Sequence, residues 1–233
     1  MQFIISRYHP DKDSDPFEQT FEIDDALLSA DSMLLDALHL IREQDPSLGF
    51  RSSCQEGICG SDGMNINGKN GLSCITSLSS LTQPIRLTPL PGLPIIKDLI
   101  IDMTLFYQQY SKVEPFLVTE PFNPNLEHLQ SPEDRAKLDG AYECILCGCC
   151  STSCPSFWWN PDQFAGPAAL LAAQRFVIDS RDIQQIDRLT SLDSPTQTFR
   201  CRHIQNCTDA CPKGLTPSRA IQALKSIMVN KLT

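Results

Sequence analysis

Apolar side chains in roughly the first hundred residues come in short runs suited to half-buried strands. Phe3 to Tyr8 and Thr20 to Ile23 flank a polar turn containing proline and aspartate, which predicts a hairpin. Leu34, Leu35, Leu38 and Ile41 then recur at helical spacing between Ser32, a candidate cap, and Pro46, which stops the helix. A strand pair packed on one helix is expected. Cys54 to Cys74 reads as a glycine-rich loop with Gly57, Gly60, Gly63, Gly68 and Gly71, and Ile85 to Leu87 adds a later strand. Two proline-rich stretches, Pro84 to Pro94 and Pro115 to Pro132, bracket a connector in which Leu99 to Tyr110 forms a helix. The pattern places a domain boundary near residue 105, giving domains 1–105 and 106–233. Beyond it the rhythm turns helical: Ser131-Pro132-Glu133-Asp134, Gly166-Pro167 and Thr216-Pro217 each supply a helix start with proline at the first helical position.

Composition narrows the function. A chain of 233 residues, 41% hydrophobic and 20% charged, has room for two folded domains with cores of their own. Its net charge of -9, with no Lys/Arg run, opposes binding to phosphate backbones, so nucleic acid is not an expected partner. Phe3-Ile4-Ile5 is too short for the apolar region of a secretory signal, and the protein is expected to stay in the cytoplasm. The longest apolar stretch, Ala165 to Ile178, is broken by Pro167, Gln174 and Arg175 and falls short of the roughly 20 residues that cross a bilayer. Membrane contact is therefore expected only through partners. Eleven cysteines without an export signal point to metal or cluster ligation rather than disulfides.

Their spacing is specific. Cys54-x4-Cys59-x2-Asp62-x11-Cys74 follows the plant-type ferredoxin pattern for a [2Fe–2S] cluster, with aspartate in the third slot. Asp62 is either an iron ligand, since a carboxylate coordinates iron, or a solvated loop residue. Cys144-x2-Cys147-x2-Cys150-x3-Cys154-Pro155 reproduces the bacterial two-cluster run, in which the fourth cysteine reaches across to the other cluster. The second run is altered: Cys201-x2-Ile204-x2-Cys207-x3-Cys211-Pro212 has isoleucine in the second ligand position. Crossing then gives Cys144, Cys147, Cys150 and Cys211 to a [4Fe–4S] cluster and leaves Cys154, Cys201 and Cys207 for a [3Fe–4S] cluster. With no thiolate at Ile204 a fourth iron has no protein ligand, and the apolar side chain excludes water from that position. Cys149 lies outside the repeat and reads as a packed free thiol. The competing readings of these cysteines are a zinc site, as in an interaction scaffold, and buried thiols; zinc ribbons lack the triple-plus-one spacing. Clusters without a nucleotide fingerprint imply a relay whose donor and acceptor sites lie on other subunits, against a soluble carrier with exchangeable partners.

Four segments carry a further signal: Ser53 to Gly63, Asn67 to Leu72, Arg86 to Leu93, and Glu143 to Asp162 with its Trp158-Trp159-Asn160-Pro161. Over nearly its whole length the chain resembles the iron–sulfur subunits of proteobacterial succinate dehydrogenases. The resemblance implies an α+β architecture, with an N-terminal β-grasp plant-type ferredoxin domain followed by an all-helical two-cluster bacterial ferredoxin-like domain. It also implies a succinate:quinone oxidoreductase complex of the tricarboxylic acid cycle and aerobic respiration, peripheral at the cytoplasmic face of the bacterial inner membrane. Its partners would be a flavoprotein subunit carrying FAD, where succinate is oxidised, and two membrane-anchor subunits carrying heme b. Electrons would pass through [2Fe–2S], [4Fe–4S] and [3Fe–4S] to ubiquinone at a subunit interface. Asp62 resembles the third-slot aspartate of certain proteobacterial succinate dehydrogenases, whereas the related fumarate reductases, the runner-up reading, tend to have cysteine there. By the same resemblance Pro155, Trp159, Arg202, His203 and Ile204 are quinone-site candidates. Trp159 and Ile204 match the family; the histidine that commonly follows the cysteine directly is displaced here to His203, with Arg202 in its place.

Overall fold

A computed structural model describes residues 1–121, 125 and 127–232; part of the proline-rich stretch Pro115 to Pro132, and position 233 of the predicted second domain, lie outside the described residues. Strands β1 (Gln2–Arg7) and β2 (Phe17–Glu22) form the expected antiparallel hairpin, with Phe3 opposite Phe21. Helix α1 (Leu34–Gln44) follows, then β3 (Gly63–Ile66), β4 (Lys69–Leu72), β5 (Ile85–Thr88), β6 (Ile95–Lys97) and β7 (Ile100–Ile101). The first five strands make one sheet in the order β2-β1-β5-β3-β4. β5 runs parallel to β1, which requires a crossover connection, and the stretch bearing α1 supplies it.

Alternation along β1 buries Phe3, Ile5 and Arg7 on one face. Phe3, Ile5, Ile85 and Leu87 are fully buried, as are Leu34, Ala37, Leu38 and Ile41 of α1, each large side chain contributing about 1.5–3 kcal/mol. Arg7 is the exception to the apolar face, because a buried guanidinium must be paired. It donates to Asp98 Oδ1 at 3.0 Å, Asp45 Oδ2 at 2.8 Å, Gln19 Oε1 at 2.6 Å and Ser47 Oγ at 2.7 Å.

Three local expectations are corrected. Ser32 does not cap α1: its hydroxyl accepts from the Ser29 amide, and it is Asp36 that accepts the Met33 amide at 2.8 Å. The Cys54 to Cys74 segment is not all loop, since β3 and β4 turn on Asn67 and Gly68, both at left-handed φ of 49° and 87°, as a two-residue Asn-Gly hairpin demands. Finally, Ile100–Ile101 is strand, and the predicted helix begins only at Thr104.

The remaining helices are α2 (Thr104–Ser111), α3 (Pro132–Ala136), α4 (Cys149–Thr152), α5 (Pro155–Trp159), α6 (Gly166–Val177), α7 (Gln185–Leu192), α8 (Asn206–Asp209) and α9 (Pro217–Leu232). All three proline-marked starts are used; at α3, Ser131 Oγ accepts from the Asp134 amide at 3.0 Å. The chain resolves into two compact units. One comprises Met1–Met103 with the short segments Ile145–Ser153 and Ala210–Pro212; the other comprises Thr104–Cys144, Cys154–Asp209 and Lys213–Thr233. In the second unit α6 is apolar on nearly every side and buried from Gly166 to Ala173, and α2, α7 and α9 pack against it. Arg188 of α7 is buried there, pairing with Asp182 Oδ2 at 2.9 Å and donating to the carbonyls of Val113, Glu114 and Phe116. Among the described residues no helix is long and apolar enough to cross a membrane.

Candidate metal centre

The first donor set lies on the loop before β3. Gln55, Gly57 and Gly60 adopt positive φ, curling the backbone so that the Ile58 and Cys59 amides donate to Cys54 Sγ at 3.3 and 3.2 Å. Burial pushes the Cys59 thiol up, but hydrogen bonds from Ser61 and Cys54 outweigh it and leave it at about 7, within reach of the thiolate that metals require. Asp62 is 3% exposed, which removes the solvated-loop alternative. Its Oδ2 accepts from Ser73 Oγ at 3.0 Å and the Cys74 amide at 2.6 Å, while Oδ1 is buried without a hydrogen-bond partner. Burial and the neighbouring Asp62 push Cys74 up to about 12. A buried carboxylate with an unused oxygen beside a buried thiol suits a cation that both can ligate.

Cys147, Cys150 and Cys211 fall in the same unit, on Ile145–Ser153 and Ala210–Pro212; Cys144 ends the adjoining stretch of the second unit. Leu146 and Gly148 take φ of 55° and 81°, the tight turns that close cysteine spacing imposes. Cys149 is fully buried, with Sγ 3.7 Å from the Gly71 carbonyl. Its hydrogen bond with Cys147, then burial, hold it well above the ordinary thiol range, and the same bond lowers Cys147. Cys149 is thus packed inside the unit, as a thiol outside the repeat was expected to be.

The third set lies within the second unit. Cys154, Cys201 and Cys207 line one cavity together with Pro155, Arg202, His203 and Ile204. Burial pushes Cys154 up, and burial with Cys154 and Cys201 nearby pushes Cys207 to about 11; binding a metal centre deprotonates such thiols. Ile204 is 49% exposed and so does not by itself exclude water, as the sequence alone suggested. Trp159 is not among the cavity-lining residues and is 71% exposed at the end of α5. Lys225 of α9, which no motif marks, donates to the Cys201 carbonyl at 2.8 Å and stands 3.2 Å from His203 Nε2. Among the described residues no three His, Cys, Asp or Glu side chains are gathered as they are around a single ion.

Comparison with known proteins bears on each half. Residues 2–108 match a family described as a 2Fe-2S iron-sulfur cluster binding domain, and residues 143–216 one described as a 4Fe-4S dicluster domain. A succinate dehydrogenase iron-sulfur subunit from Coxiella burnetii is 53% identical over 231 residues, covering 99% of this chain and 98% of that one. The chain belongs to the succinate dehydrogenase iron–sulfur subunit family. Another relative, from Paracoccus denitrificans, is 48% identical over 99% of this chain and 89% of its own. The mitochondrial iron-sulfur subunit 3 of Arabidopsis thaliana is 53% identical over 97% of this chain and 74% of its own. The fold matches a chain of the structure entitled "Mycobacterium smegmatis Sdh1 complex in the apo form" with a TM-score of 0.86, covering 100% of this chain and 97% of that one at 22% identity. The α+β architecture, with a [2Fe–2S] ferredoxin domain preceding a helical 4Fe–4S domain, is thus the one the resemblance implied. Members of this family are parts of an oxidoreductase complex, and the fumarate reductase alternative is not favoured by these relatives.

Proposed function

We propose that this chain is the electron relay of a succinate:quinone oxidoreductase, taking electrons from FAD on a flavoprotein subunit and delivering them to ubiquinone. The observation that carries the reading is the cavity lined by Cys154, Cys201 and Cys207 with Ile204 in the missing fourth ligand's slot. Cys54, Cys59, Asp62 and Cys74 would hold [2Fe–2S], Cys144, Cys147, Cys150 and Cys211 [4Fe–4S], and Cys154, Cys201 and Cys207 [3Fe–4S]. Domain 1–105 would bear the first cluster and 106–233 the ligands of the other two. Such clusters supply one-electron carriers and no substrate chemistry of their own. Around them the chain's part is to aim amides at sulfur, as Ile58 and Cys59 do at Cys54, and to withhold a fourth thiolate at Ile204.

Pro155, Trp159, Arg202, His203 and Ile204 form the proposed quinone end, at the interface with two membrane-anchor subunits that carry heme b, on the cytoplasmic face of the inner membrane. Lys225 belongs with them, because it holds the Cys201 backbone and faces the His203 ring. Arg202 offers the planar fork of a guanidinium and serves to pair with an anion. An indole N–H on Trp159 and the His203 ring supply hydrogen bonds to quinone oxygens. Replacing Trp159 by Leu or His203 by Ala in the intact complex is expected to lower succinate–quinone turnover about tenfold, the loss of one positioned hydrogen bond worth roughly 1.4 kcal/mol. Succinate oxidation by an artificial dye should stay unchanged. A parallel fall in both activities with loss of the complex would make these residues assembly contacts and refute their place in quinone chemistry.

A further inference from the structure

Strand β4 lies between two of the proposed [2Fe–2S] ligands, Asp62 and Cys74, and its Asn70 is buried at 5% exposure. A buried primary amide must satisfy donors and an acceptor alike. Oδ1 of Asn70 accepts from Asn65 Nδ2 at 2.8 Å, across the β3–β4 pair. Nδ2 meets three acceptors on the Ile145–Ser153 segment: Ser153 Oγ at 2.8 Å, Thr152 Oγ1 at 3.0 Å and the Cys149 carbonyl at 3.2 Å. The two hydroxyls have their own protons committed, Thr152 to the Gly148 carbonyl at 2.8 Å and Ser153 to the Cys149 carbonyl at 2.8 Å. Both therefore face Asn70 as acceptors, which a donor of this length at position 70 reaches.

The turn so held is α4 with its C-terminal neighbour Ser153; it contains Cys150 and is separated from Cys147 by Gly148 alone. A second contact fixes the same segment. Gly60, at φ 69°, has no side chain where a Cβ would stand 2.8 Å from Cys147 Cβ and 2.9 Å from its Cα, so the loop carrying Cys59 and Asp62 sits backbone-to-backbone on Cys147. Hydroxyl and amide contacts of this kind act as an outer shell, setting ligand direction without touching the metal.

We propose that Asn70 is a positioning residue for the [4Fe–4S] site, its amide fixing the Cys149–Ser153 turn from the β3–β4 hairpin that Asp62 and Cys74 flank in the chain. The inference rests on the reading that Cys147 and Cys150 are cluster ligands. Asn70→Asp keeps the shape and the Asn65 contact but turns a donor into an acceptor opposite three acceptors.

The test uses the intact complex, purified anaerobically, with cluster loss to an iron chelator followed by electron paramagnetic resonance of dithionite-reduced samples. In Asn70→Asp the [4Fe–4S] signal should decay about tenfold faster than in the unaltered complex and its reduction potential should shift, while the [2Fe–2S] signal persists. The double variant Thr152→Ala/Ser153→Ala, which leaves the sheet untouched, should move both readouts the same way. An Asn70→Asp complex with rate and potential unchanged would overturn the proposal, as would equal loss of both clusters. Should Asn70→Asp fail to assemble, the double variant decides alone, an unchanged [4Fe–4S] centre overturning the proposal. Absence of any [4Fe–4S] signal in the unaltered complex would instead strike down the ligand assignment.

Discussion

Ile204 lines the same cavity as Cys154, Cys201 and Cys207 and stands in the slot where a second thiolate of the repeat belongs. Cluster type there follows from ligand number, so Ile204→Cys should let the site take up a fourth iron, and its reduction potential should fall. Spectroscopy of the oxidised variant would read this directly; a three-iron signal as strong as before would mean that something other than the missing thiolate sets the cluster. Ligand spacing was legible because close cysteines must share a loop whatever the rest of the chain does. Residues that act on those loops from elsewhere were not: Asn70 and Lys225 reach them only through the packing of β4 and α9, a property of tertiary structure without a local pattern. The burial of Asp62 was equally invisible, since a polar residue among glycines reads as exposed until Ser73 and Cys74 are seen to close over it.

At the level of elements, helix starts marked by proline were read correctly because proline fixes its own φ and needs no donor there, a local rule that packing rarely overturns. Glycines misled the reading of Cys54 to Cys74. Their number suggests loop throughout, although Asn67-Gly68 between Ile66 and Lys69 is a strong hairpin signal, and β3 and β4 follow from it. The stretch after α2 is held by the Arg188–Asp182 pair, with side chains 2% and 0% exposed, and the Val118 amide donates to Asp182 Oδ2 at 3.1 Å. Asp182→Ala leaves a buried guanidinium short of its carboxylate, at a cost of roughly 3–5 kcal/mol. Hydrogen exchange of the Val118 and Ile183 amides should accelerate by about a hundredfold or more, because both bonds anchor on this pairing. Protection equal to that of the unaltered protein would show that the pair does not hold the stretch.

For the whole molecule, the account is that one chain of the succinate dehydrogenase iron–sulfur subunit family pairs a 2Fe–2S domain with a 4Fe–4S dicluster domain and carries electrons between partners. The [2Fe–2S] loop and the Ile145–Ser153 segment share one compact unit, whereas the cavity of Cys154, Cys201 and Cys207 belongs to the other. Electron paramagnetic resonance of the purified complex, air-oxidised and then reduced by succinate, tests this most directly. The account predicts a [3Fe–4S] signal in the oxidised sample that succinate removes, and a [2Fe–2S] signal that succinate brings up. Stoichiometric zinc with neither signal, or clusters that succinate leaves oxidised, would contradict it.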